Sequence, residues 1–169
     1  MGIGDRLLIQ DAFNLNTMSG LAKFVKTNAT NENGKLYWHM TWAYQGNSNH
    51  PEYYKYGYDQ MNMYNAILSA VHQNILTNKD FAKVIPTGTA IQNLRTGIYG
   101  DTVTRDGFHL AYDSGRLAAA MMWLKSLTEC DLEPVTWTPA NYTYTQEQIA
   151  AIKASVENAW ANPYQVTAF

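Results

Sequence analysis

The stretch Leu36-Tyr37-Trp38-His39-Met40-Thr41-Trp42 decides the fold class. It mixes β-branched and aromatic residues with polar ones in alternation, the pattern of a β-strand. Asn31-Glu32-Asn33-Gly34 in front of it is a turn signal, and Ala43-Tyr44-Gln45-Gly46 behind it ends the run. Residues 46–58 are irregular, with His50-Pro51 and four tyrosines. Asp59 then opens a helix whose inner face is Tyr64, Ile67, Leu68, Val71 and Ile75, spaced at the 3.6-residue period. Val84-Ile85-Pro86 reads as another short strand. Strand, helix, strand is the unit of a parallel sheet, because parallel neighbours need a crossover.

Upstream, Leu7-Leu8-Ile9-Gln10 reads as a buried strand that stops at a polar residue. The spacing predicts a loop over Asp11–Ser19 and a modest helix near Gly20–Thr27. Downstream, residues 87–112 read as a long glycine-containing loop, a type that is usually functional or mobile. Ser114 is a candidate N-cap for a helix with an apolar stripe of Leu117, Met121 and Leu124. Pro134 and Pro139 mark a break, and Thr145-Gln146-Glu147-Gln148 is a capping-box pattern. It predicts a last helix over about 145–160, with Ile149, Ile152 and Val156 inward. The expected organisation is an α/β domain over 1–130 and a C-terminal extension, 131–169, whose helix packs on the same domain. Three strands are few for a parallel sheet, so the sheet reads as incomplete at its N-terminal side.

Composition narrows the chemistry. The 169 residues are 46% hydrophobic and 15% charged, which suits a packed core and argues against disorder. The formal net charge is −2 with no basic run, so nucleic acid is not an expected partner. No apolar stretch approaches the roughly 20 residues of a membrane-spanning helix, so no membrane partner is expected either. No signal peptide stands at the start, and Cys130 is the only cysteine. No His-x-His, His-Glu-x-x-His or cysteine pair is present, so neither a metal nor another cofactor is expected. Twelve tyrosines and five tryptophans suit a surface that stacks on sugars, and suit better a stable surface with no ligand.

The local signal for catalysis is Thr104-Arg105-Asp106-Gly107-Phe108-His109-Leu110, just before a helix. A carboxylate three residues ahead of an imidazole can fix its tautomer and leave the other ring nitrogen as a general base. The spacing alone fits an aspartate capping its own turn better. Asp106-Gly107-Phe108-His109-Leu110 with Gly115-Arg116-Leu117-Ala118-Ala119 resembles the last motif block of the SGNH hydrolases. More of the chain is similar to a little-characterised bacterial branch of that superfamily: residues 38–44, Asp59-Gln60 with Met63-Tyr64, residues 86–93, and Gly100-Asp101. Together these cover roughly residues 7–125.

The resemblance implies a flavodoxin-like, SGNH-hydrolase-like three-layer parallel sheet. It also implies a serine esterase site in which Asp106 orients His109. An amide after the first strand would stabilise the oxyanion, with Gln10 and Asn14 as candidates and Asn16 as an alternate. Carbohydrate O-acyl esters are the implied substrate class, in a secreted or periplasmic setting. Trp42, Tyr44, Gln92 and Asn93 are candidate substrate contacts. Aromatics at strand ends also serve as packing, and Gln92 and Asn93 also suit tying down a loop. His39, inside the strand, reads as a satisfied core residue.

One departure matters. The family's Gly-Asp-Ser nucleophile block is absent, and Gly4-Asp5-Arg6 has Arg6 where serine should stand. Ser19, Ser48 and Ser114 are weaker candidates for that role. Three alternatives stay open: a partial esterase, a non-catalytic glycan-binding or structural module, and a fragment whose sheet is completed by a missing N-terminal segment or by self-association.

Overall fold

The computed structural model describes residues 11–31 and 33–169, with the side chains of residues 11–16 left out of the description. The strand expected at Leu7–Gln10 lies outside the described residues. The observed order is α1 (Asp11–Asn28), β1 (Leu36–His39), α2 (Gln60–Asn74), β2 (Phe81–Ile85), α3 (Thr87–Leu94), α4 (Gly115–Thr128) and α5 (Gln146–Ala161), with 3-10 turns at Tyr53–Tyr56 and Gly100–Thr102. The chain is α/β.

The two strands pair in parallel, with Trp38 opposite Val84 and His39 opposite Ile85. β1 is shorter than expected, ending at His39, because Met40 turns out of the ladder. Its N–H still donates to the Ile85 carbonyl at 3.0 Å, and its carbonyl then accepts from the Gly88 N–H at 3.0 Å. Helix α2 supplies the crossover between the strands. Its first turn is held by Asp59, whose side chain accepts from the Asn62 N–H at 2.7 Å.

Alternation along β2 divides the interior in two. Val84 joins a cluster with Trp38, Met40, Tyr64, Ile67 and Val71, which is the α2 side. Ile85 joins a second cluster with Ile91, Leu94, Leu117, Met122, Ile152 and Val156, supplied by α3, α4 and α5. The segment after residue 130 shares this second core through Leu132, and α5 packs against α3 and α4. The expected capping box is present: the Thr145 hydroxyl accepts from the Gln148 N–H and the Gln148 side chain accepts from the Thr145 N–H.

Several expectations are corrected. Asp11–Ser19 is helical, not a loop; its asparagines and small residues are weak formers, yet Ala22 is buried at 3% exposure and anchors the helix. The stretch 87–112 is not one long loop, since α3 occupies its first eight residues and every one of them is buried. Thr and Gly have low helix propensity, so this helix exists through tertiary burial. A Cβ on Gly88 would lie 2.0 Å from the Thr41 carbonyl oxygen, so glycine alone lets α3 seat against the end of β1. Ser114 stands at the N-cap position of α4, but its hydroxyl turns to Asp113 (3.2 Å) and leaves the helix uncapped by a side chain. Leu124 is exposed and Ile149 only half-buried, so the apolar stripes of α4 and α5 are narrower than read. His39 is exposed at the sheet edge, not buried. Its Nε2 meets the Thr87 hydroxyl at 2.8 Å and its ring faces Trp123.

Candidate active site

The chain leaves α3 and the Gly100–Thr102 turn to form a tight antiparallel hairpin. Thr104 bridges Leu110, and the Arg105 N–H donates to the His109 carbonyl at 2.9 Å. The buried Thr104 and Leu110 side chains fix its inner face, which leaves Arg105, Asp106 and His109 exposed. Asp106 organises the tip. One carboxylate oxygen accepts from the backbone N–H groups of His109 (2.8 Å) and Phe108 (3.3 Å), and the other meets His109 Nδ1 at 2.7 Å. Both readings of the spacing are thus realised together: the aspartate caps its own turn and orients the ring.

Gly107 makes the turn possible in two ways. Its φ is +88°, a region that L side chains rarely adopt, and a Cβ there would lie 3.0 Å from Ser48 Oγ. The hairpin is docked onto the segment after β1. The Gln45 N–H donates to the Gly107 carbonyl (2.8 Å), the Trp42 indole to the Phe108 carbonyl (2.8 Å), and the Thr104 hydroxyl to the Gln45 side-chain oxygen (2.6 Å). Phe108 fills the underside against His50 and Tyr44.

The electrostatics follow. Desolvation raises the Asp106 carboxyl, but the hydrogen bonds from the His109 ring and from the two backbone N–H groups outweigh it and hold the group at about 2. At neutral pH it is a carboxylate, so the hydrogen bond at 2.7 Å places the ring proton on Nδ1. The His109 side chain is 50% exposed, and among the described residues Nε2 has no hydrogen-bond partner. That arrangement presents a lone pair for proton abstraction.

Behind the hairpin lies a polar network in which one member, Arg95, carries no signal in the sequence. Arg95 is 8% exposed. It donates to the Ala43 carbonyl (3.0 Å) and to Gln92 Oε1 (2.9 Å), and its Nε lies 2.9 Å from Asp101 Oδ1. Burial lowers its guanidinium to about 10, opposed by the Asp101 charge, so it remains a cation at neutral pH. Gln60 donates to both the Tyr44 carbonyl and Asp101 Oδ1 (2.9 Å each), and Asp101 Oδ2 accepts from the Gly46 N–H at 2.7 Å. The network staples residues 43–46, and those residues hold the hairpin. Nothing around Arg95 in the sequence marks it, because Gln92, one turn earlier, is its only partner on the same helix, and Ala43 and Asp101 come from other segments.

The other sequence candidates fall in different places. Gln10 lies outside the described residues, and so does the side chain of Asn14, whose backbone is in α1. Trp42 is half-buried and spends its N–H on the hairpin. Tyr44 is 4% exposed and packs against His50, Tyr53 and Phe108. Gln92 is buried in the arginine network. Asn93 is fully buried and ties the C-terminal part of the chain, donating to the Ser155 carbonyl and accepting from the Thr167 N–H. The geometry given to Tyr44, Gln92 and Asn93 is that of supports beneath the site. Among the described residues no serine hydroxyl hydrogen-bonds the His109 ring: Ser48 Oγ accepts from the His50 N–H, and Ser19 is exposed on α1. No three His, Cys, Asp or Glu side chains among the described residues converge to hold a metal ion. A cavity of about 440 Å³, lined by Lys35, Tyr37, Lys83 and Ser126 among others, lies at the opposite end of the strands from the hairpin.

A model for a domain of unknown function, DUF4886, matches residues 12–158. The crystal structure of a DUF4886 family protein from Bacteroides uniformis ATCC 8492 is similar to this chain, with a TM-score of 0.86 and 32% sequence identity. The match covers 97% of this chain and 61% of that one, so this chain spans about three fifths of its relative's length. No curated protein matches.

Proposed function

The chain belongs to the DUF4886 family, and from that premise we propose that it carries the Asp–His half of an SGNH-type serine esterase site, acting on carbohydrate O-acyl esters when the site is complete. The single observation that carries this reading is the exposed imidazole held through Nδ1 by an ionised carboxylate at 2.7 Å. Helices against both faces of the parallel strands support a flavodoxin-like three-layer arrangement for the domain. Loops at the carboxyl ends of such strands are where ligands bind, and the hairpin docks onto the segment that leaves β1 at that end.

In the proposed reaction a serine from outside the described residues attacks the acyl carbon while His109 Nε2 takes its proton. Asp106 stays ionised and stabilises the imidazolium. An amide near Gln10 or Asn14 donates to the developing oxyanion. The bond from the acyl carbon to the sugar oxygen then breaks, and the imidazolium gives its proton to that oxygen, releasing the sugar hydroxyl and leaving the acyl-serine. Water then cleaves the acyl-enzyme by the same route, giving the free acid and regenerating the serine.

A second reading, a non-catalytic glycan-binding or structural module, is favoured by the lack of a serine hydroxyl on His109 among the described residues. Exposed apolar side chains, Leu21 and Phe24 on α1 and Trp123 and Leu127 on α4, support completion of the sheet by further chain or by self-association. Hydrolysis of a generic acetyl ester and of acetylated xylo-oligosaccharides by a full-length form that includes the serine block separates the readings. The esterase reading expects turnover that drops to background in H109A of that form; turnover retained by H109A overturns it. Absent turnover by that form with saturable oligosaccharide binding selects the module.

A further inference from the structure

Beside His109 stand two arginines that the proposed reaction does not use. Arg105 and His109 are opposite one another across the hairpin, and residues so paired project to the same face with Cβ atoms about 5 Å apart. The Arg105 guanidinium donates to the Tyr112 hydroxyl at 2.8 Å and lies 4.9 Å from the centre of that ring. Arg116, in the first turn of α4, lies 4.3 Å from the same ring. Tyr112 is 45% exposed and both arginines are exposed, so the two cations gather on one solvent-exposed tyrosine.

This cluster is unusual in three respects. First, a chain with a formal charge of −2 has no general excess of cations to scatter here. Second, neither guanidinium is ion-paired among the described residues. The nearby acids are engaged otherwise: Asp106 on His109, and Asp113 on the N–H and hydroxyl of Ser114. Third, a cation in the first turn of a helix works against the macrodipole, so Arg116 does not serve the helix that carries it. Tyr112 fixes both side chains while their remaining N–H groups stay free to donate, and forked donors of this kind match carboxylate and sulfate oxygens.

We propose that Arg105 and Arg116, held about the Tyr112 ring beside His109, form a subsite for a negative charge on the sugar that bears the acyl group, so that the substrate class is an acidic glycan ester. The anion is a carboxylate or a sulfate, which share this chemistry. The assignment of substrate rests on the esterase reading; the anion site itself does not.

The test is an NMR titration of the full chain with glucuronate, glucose 6-sulfate and glucose, following the Nε–H groups of both arginines and the Tyr112 ring. Saturable shifts with at least one anionic sugar, and none with glucose, are expected, and the sugar that acts tells carboxylate from sulfate. R105Q and R116Q, both at exposed positions, each weaken that binding by roughly tenfold or more, and added salt weakens it further. No saturation with either anion, equal binding of glucose, or unchanged binding by both variants overturns the proposal. Saturation, without turnover of any acylated sugar by a full-length form that includes the serine block, keeps the anion site and removes the esterase reading. Turnover with no preference for charged esters does the reverse.

Discussion

Replacing Gly107 by alanine probes the hairpin at the point where two constraints meet. Its φ of +88° costs an L residue roughly 1–2 kcal/mol. The new methyl would also sit 3.0 Å from Ser48 Oγ, 3.2 Å from Ser48 Cα and 3.3 Å from Ser48 Cβ. Ser48 is 8% exposed and its hydroxyl is engaged with the His50 N–H, so it has little room to yield, and overpacking of this kind costs about 1–3 kcal/mol. A second escape of similar cost exists: the hairpin can lift away, losing the bonds from Gln45 N–H and from the Trp42 indole at about 1 kcal/mol each. Adding the turn strain to the two routes gives a loss of about 2–5 kcal/mol. That corresponds to a fall in Tm of roughly 4–20 °C for a domain of this size. Thermal and urea unfolding measure the loss, and the Trp42 indole N–H resonance reports whether the hairpin has lifted. A loss below about 0.5 kcal/mol with an unmoved indole signal would refute the argument that the turn is both strained and close-packed.

Gly88→Ala is expected to be more severe, above about 3 kcal/mol, because the methyl would occupy the Thr41 carbonyl at 2.0 Å and unseat α3 from the core; loss of near-UV circular dichroism or of soluble protein checks it. The Asp106 carboxyl, at about 2 against an ordinary 3.8, is lowered by folding, so its contribution to hairpin stability is complete above about pH 4 and disappears as pH falls through about 2. Amide exchange of His109 and Phe108 across that window should show the step, and D106N should lack it. Arg95→Met strands the Ala43 carbonyl and Gln92 Oε1 and leaves Asp101 without its cation. Asp101 is 39% exposed and can recover water, so about 1–3 kcal/mol is expected in urea unfolding.

The sequence exposes what is local and hides what is assembled. Strands β1 and β2, helix α2 opening at Asp59, and the Thr145 capping box follow from short-range chemistry, and all were legible. Asp106 and His109 are three residues apart in a turn that glycine permits; the spacing alone favoured a turn cap, and the resemblance brought their pairing forward. Helix α3 was not, because Thr87-Gly88-Thr89 is a poor helical sequence that burial overrides. Arg95 was invisible because its place in the network depends on the Ala43 carbonyl, 52 residues away, and on the fold of the turn that brings Asp101 back to it; only Gln92 is a local partner. Tyr44 and Asn93 look like exposed recognition groups in a linear reading, and only the packed interior shows the hydrogen bonds and rings that occupy them.

The account stands on a carboxylate that dictates which nitrogen of one histidine carries the proton. The direct measurement is the ¹⁵N and ¹H NMR of the His109 ring in the intact chain at neutral pH. The expected spectrum has a protonated Nδ1 with a strongly downfield, hydrogen-bonded proton and a bare Nε2, and this proton signal should vanish in D106N. A neutral ring protonated on Nε2, or an Nδ1 signal indifferent to D106N, would contradict the account.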